Sequence, residues 1–120
     1  MKVLVSGSRI CLRRFVHLVE DRLNSLPKEN LIIVHGAAAG VDSIAKTWAM
    51  ENDIKDLPYP AEWGKYGKSA GPIRNRQMLK DNPDIELVLA FPSPESRGTR
   101  DMINAAKEAG FMVEVIELGE

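Results

Sequence analysis

Four short stretches of this chain carry residue types that can hold an anion. Gly7-Ser8-Arg9 sets a residue without a side chain, a hydroxyl and a fixed cation in a row. The glycine lets backbone approach a phosphate closely, and the guanidinium can grip it through paired hydrogen bonds. "HGAAAGVD", residues 35–42, separates Gly36 from Gly40 by three alanines just ahead of a helical run, so the free amides of a helix N-terminus are exposed there. "GPIRNRQML", residues 71–79, offers Arg74 and Asn75; Arg76 points along a different direction from Arg74, because each helical residue turns about 100°, and either adds a phosphate contact or lies against a neighbouring subunit. "PSPESRGT", residues 92–99, runs from Pro92 to Gly98 and Thr99 at the start of another helix. Amides, a hydroxyl and the positive end of the helix dipole favour a phosphate or carboxylate at that point.

Other polar and aromatic residues leave two readings open. Asp42 can cap a helix or accept a hydrogen bond from a ribose hydroxyl. His35 can read a base, move a proton, or serve a structural purpose at a strand end. Trp63 and Tyr66 can stack on a base or close the core. No catalytic set emerges, and no residue spacing suggests a metal site or a resident cofactor.

These stretches need a scaffold that brings them to one place. Apolar runs at 2–5, 31–34, 54–57, 87–91 and 113–116 read as five strands, and helical spacing is found at 12–26, 44–50, 73–79 and 99–109. After the third strand, Pro58, Pro60, Gly64, Gly67 and Gly71 mark a long irregular crossing, and residues 117–120 read as a frayed end. Strands that alternate with helices, and that are apolar along their length, imply a parallel sheet covered on both faces. The expected fold is a single α/β domain over residues 1–120, Rossmann-like and doubly wound, with strand order 3-2-1-4-5. In that order the first and fourth strands are neighbours at the topological switch, so the 7–9 turn and the 92–99 loop open onto one crevice.

Bulk composition bounds the partners. A chain of 120 residues with 44% hydrophobic content suits one core, and its single cysteine excludes an internal disulfide, which fits a reducing cytoplasm. No apolar stretch approaches the roughly 18 to 20 residues of a membrane span. With 16 basic and 17 acidic residues, net charge is −1, so there is no global attraction to nucleic acid or to an anionic membrane. Any anion site is local. The stretch 65–80 has the residues for one, with Lys65, Lys68, Arg74, Arg76 and Lys80 and no acidic residue among them.

In order and spacing, "VSGSR", "VHGAAAGVDSIAKTWA", "GPIRNRQML" and "LAFPSPESRGTRDMINAAKEAG" resemble the YspA-like branch of the SLOG superfamily. The resemblance covers nearly the whole chain. It implies a Rossmann-like domain that binds nucleotides or nucleotide-derived small molecules, often in regulatory, phage-related or defence-signalling settings, and commonly as a homo-oligomer.

Two related groups frame the alternatives. The LOG phosphoribohydrolases cleave the N-glycosidic bond of nucleoside monophosphates with an arginine from Arg-Lys-x-x-Met and a glutamate from Pro-Gly-Gly-x-Gly-Thr-x-x-Glu. Arg74 and Met78 match the first motif; Pro92, Gly98 and Thr99 match part of the second, but its paired glycines are missing and Met102 stands in the glutamate position. A thioether cannot take or give a proton there. Asp101, Asp42 and Glu95 are the carboxylates left for such chemistry. The Rossmann domain of DprA, which binds single-stranded DNA, is similar in "GSR", "GAAAGVDSIA" and "IRNRQML". Without net positive charge, a strand-binding groove would rest on the 65–80 cluster alone. The residues therefore point first to a ligand-binding module.

Overall fold

The computed structural model describes residues 1–119. Its strands are β1 (Lys2–Gly7), β2 (Ile32–His35), β3 (Lys55–Pro58), β4 (Leu87–Phe91) and β5 (Val113–Val115). The helices between them are α1 (Val16–Asn24), α2 (Val41–Glu51), α3 (Trp63–Tyr66), α4 (Ala70–Asp81) and α5 (Arg97–Glu108). All four strand pairings are parallel, in the order β3-β2-β1-β4-β5, as the sequence implied.

β1 and β4 are central because their side chains are apolar on both sides. Val3 and Val5 point into a core shared with α1 and α2, built on Val19, Leu23, Val41, Ala45 and Trp48. Leu4 and Val88 point to the other face, where Met78 and Leu79 of α4 meet Met102 and Ala106 of α5. Burial of two such layers supplies most of the stabilising free energy. β3 is the outer strand beyond β2, and its Pro58 sits where a missing N–H does least harm.

Several boundaries differ from the expectation for physical reasons. The crossing at 58–72 is not wholly irregular: it contains α3, a 3-10 turn over Gly67–Ser69, and the first residues of α4. Pro72 fits the first turn of α4 because amides there have no intrahelical acceptor. α2 starts at Val41, three residues earlier than periodicity suggested, so Asp42 lies inside its first turn and Gly40 occupies the cap position. The first helical stretch is shorter than 12–26, since a 3-10 turn over Arg13–Phe15 precedes α1.

The expected fraying at 117–120 is also corrected. The Ile116 amide donates to Ala90 and the Leu118 amide to Pro92, each at 2.8 Å, and Leu118 is buried in the α1–α2 core. Glu120, the last residue of that expected end, lies outside the described residues. Among the described residues, no helix is long and apolar enough to cross a membrane.

Candidate functional site

The carboxyl ends of β1, β2 and β4 meet where the strand order reverses. β1 runs two residues further than expected, so Gly7 is a strand residue paired with Phe91 and not part of the turn. A Cβ on Gly7 would come 2.5 Å from Val41 Cβ. Its lack of a side chain serves the contact of β1 with the start of α2. Gly40 has φ +77°, and a Cβ there would overlap the Ser8 carbonyl, which accepts the Val41 amide at 3.0 Å. The two glycines thus draw the 35–42 loop and the N-terminus of α2 against the end of β1.

That loop wraps a buried carboxylate. Asp42 is 5% exposed, and its Oδ2 accepts the amides of Gly36 at 3.1 Å and Ala38 at 3.3 Å. Its Oδ1 is buried with no hydrogen-bond partner among the described residues. Burial raises the Asp42 pKa from the ordinary 3.8 to about 6, against the opposing pull of the Ala38 amide, His35, Arg74 and the Gly36 amide. Asp42 therefore does not cap α2 by the usual route. It holds the preceding loop and leaves one acceptor unused.

Arg74 closes the site from α4. Its Nη1 donates to the carbonyl oxygens of Gly36 and Tyr59, the latter at 3.3 Å, and its Nε donates to Asn75 Oδ1 at 3.0 Å. Nη2 makes no hydrogen bond to the described residues. Burial lowers the Arg74 pKa, Asp42 raises it, and the nearby charge of Arg9 lowers it further. Gly36 explains how the guanidinium fits: a Cβ there would lie 2.5 Å from Arg74 Nη1 and 3.0 Å from Asp42 Oδ2. The small residues of "HGAAAGVD" thus make room for an arginine from a distant part of the chain.

Asn75 joins this arginine to the last motif. Its Nδ2 donates to the Gly98 carbonyl and to Asp101 Oδ2, both at 3.1 Å, and the residue is only 2% exposed. The Asn75 side chain is buried, and its hydrogen bonds orient Arg74 and the start of α5. At that start the Gly98 and Thr99 amides belong to the first turn, and space is open where a Gly98 Cβ would stand. The Thr99 side chain itself is buried.

Other expected contacts also have structural duties. His35 is fully buried, with Nε2 against Asp56 Oδ2 at 2.7 Å and Nδ1 accepting the Ala37 amide at 3.0 Å. Both ring nitrogens are in use, which fits the structural reading among those open for His35. Ser8 Oγ accepts the Ile10 amide, donates to the Ile10 carbonyl and meets Ser93 Oγ at 3.0 Å; Ser93 in turn meets Ser96 at 2.8 Å. This hydroxyl chain ties the 7–9 turn to the 92–99 loop. Pro92 is buried, and its carbonyl holds the C-terminal strap. Arg9 is exposed and rests over the Trp63 ring, 4.8 Å from its centroid. Sequence reasoning missed Tyr59, Asp56 and Ser93; their roles run through a backbone carbonyl or side-chain bonds between elements that no local spacing encodes.

Of the other carboxylates considered for bond cleavage, Asp101 is held by side-chain partners and Glu95 is exposed. Met102, in the glutamate position, is fully buried in the α4–α5 layer. Asp101 points to Arg76, with bonds of 2.9 and 3.2 Å; burial raises its pKa, but Arg76 and Asn75 outweigh that and hold it below the usual range. Glu95 is exposed on the loop.

Sheet order and the loop hydrogen bonds define a Rossmann-like α/β fold with a polar cluster at the carboxyl edge of its sheet. More narrowly, the chain belongs to the YspA, cpYpsA-related SLOG family (YAcAr), which matches residues 1–66. It is 36% identical over 126 aligned residues to the Gene 61 protein of Mycobacterium phage D29, across 99% of this chain and 97% of that protein. Its fold is similar to that of DNA processing protein A (DprA) from Streptococcus pneumoniae, with a TM-score of 0.60 and 21% identity. That likeness covers 94% of this chain and 58% of DprA, and it speaks to the fold alone.

Proposed function

We propose that the protein binds a nucleotide or nucleotide-derived small molecule at the carboxyl edge of the sheet, as a sensor or signalling module. Membership of a SLOG family supports a nucleotide-related role in general. The observation that carries the narrower reading is Asp42 Oδ1, a buried acceptor without a partner among the described residues, beside the Arg74 guanidinium. A ribose hydroxyl is a donor suited to that oxygen, and a phosphate suits Arg74 Nη2 together with the first-turn amides of α5. Arg9 adds positive charge near Arg74, and Gly36 and Gly40 let the 35–42 loop pack against Arg74 and the end of β1.

No bond cleavage is required of this arrangement, because a glycosidase needs a carboxylate aimed at the leaving group and Met102 occupies the matching place. Calorimetry with AMP tests the reading. Arg74→Ala is expected to weaken AMP by about 10- to 150-fold, the equivalent of about 1.5 to 3 kcal/mol for charged hydrogen bonds. Unchanged affinity would refute the site. Chromatography of the same mixture is expected to find AMP intact; released adenine would instead make the protein a phosphoribohydrolase.

A further inference from the structure

The chain has two tryptophans, and they are built differently. Trp48 is 4% exposed and donates its indole N–H to Asn24 Oδ1 at 2.8 Å, as a core tryptophan does. Trp63 is 45% exposed, and its indole N–H makes no hydrogen bond to the described residues. It stands on α3, a single helical turn within the 58–72 crossing that ends at Tyr66, itself 39% exposed.

Two contacts fix where Trp63 lies. Arg9 covers the ring at 4.8 Å, and the indole Cη2 would lie 3.4 Å from a Cβ on Gly71. Gly71 and Arg74 are three residues apart on α4 and so share a face. The indole therefore lies about one helical turn, ~5 Å, along α4 from the arginine proposed to hold phosphate. We infer that Trp63, steadied by Arg9, is the stacking surface for the base of the nucleotide, with ribose spanning from Trp63 to Arg74 and Asp42. With Arg9 over one face of the half-exposed indole, the opposite face is the flat, polarisable surface that suits a purine, and stacking needs no hydrogen-bond pattern. The hydroxyl chain of Ser8, Ser93 and Ser96 holds the turn that presents Arg9, which ties the stack to the switch-point loops.

This inference rests on the proposed nucleotide site, and the experiment separates the two. Calorimetry is run with AMP and with ribose 5-phosphate on the wild type, Trp63→Ala and Trp63→Phe; thermal melts confirm that these surface variants stay folded. The expected result is that Trp63→Ala weakens AMP about 10-fold or more and leaves ribose 5-phosphate within about twofold, while Trp63→Phe keeps most of the AMP affinity. If the wild type binds both compounds and Trp63→Ala changes neither, or weakens both equally, base stacking is refuted and the phosphate site stands. Failure of the wild type to bind either compound refutes both. Tighter, Trp63-dependent and strongly salt-dependent binding of an oligo(dT) strand would overturn the mononucleotide assignment in favour of a strand platform.

Discussion

Asp42→Asn tests the buried carboxylate through the pH dependence of stability. In the fold Asp42 holds its proton up to about pH 6, whereas an ordinary aspartate releases it near 3.8. Below about pH 4 folded and unfolded chains both carry the proton. As pH rises from about 4 to 6 the unfolded chain gives it up and the fold does not, so stability falls across that window and the loss is complete above it. A gap of about two pH units, at about 1.36 kcal/mol each, comes to about 3 kcal/mol. The amide introduced by the substitution does not titrate, and contributions from Asp101, Asp84 and Glu114 cancel when the variant is compared with wild type at each pH. Urea unfolding at pH 4 and pH 7.5 is the assay. Relative to the variant, the wild type is expected to lose about 3 kcal/mol between the two, or about 2 M in midpoint for a slope near about 1.5 kcal/mol per molar. A difference that does not change with pH, or a wild type that gains on the variant as pH rises, would refute the reasoning. The second result would mean that the carboxylate is already paired.

Three further outcomes are expected. Gly36→Ala places a methyl 2.5 Å from Arg74 Nη1 and 2.7 Å from its Cζ. It should cost about 1 to 3 kcal/mol in urea melts and weaken AMP in calorimetry much as Arg74→Ala does; full retention of affinity would contradict the placement of Arg74. Leu118→Ala should cost about 2 to 4 kcal/mol because the side chain is 3% exposed in the core, where a loose terminus would lose almost nothing in the same melts. Met102→Glu should destabilise by more than about 3 kcal/mol, since it buries a charge without a partner, and no free base should appear in chromatography of AMP mixtures.

The fold was legible because its signals are local. Apolar runs such as Leu87–Phe91 can only be strands covered on both faces, and their alternation with helices leaves few topologies. The four motifs were legible as loop ends for the same reason. What each residue does there was less so. Asn75 and Arg74 are neighbours in sequence with similar polarity, yet one is saturated by Gly98 and Asp101 while the other faces Asp42; only the packing of α5 against α4 decides which. His35 and Asp42 differ in the same way, since Asp56 arrives from β3 to complete the histidine and no described residue arrives for Asp42 Oδ1. The C-terminal strap misled because "IELG" has the composition of an end, and its anchor is two carbonyls on β4 and the residue after it.

The proposed site seats a nucleotide between Asp42 and Arg74, against the first turn of α5. Titrating the ¹⁵N-labelled protein with AMP and following amide and arginine Nε resonances tests it most directly. Gly36, Ala38, Gly98, Thr99 and the Arg74 side chain are expected to shift together and saturate at one affinity, while Val16 and Glu20 on the far helical layer stay still. Shifts confined to other surfaces, or no shifts at millimolar AMP, would contradict it.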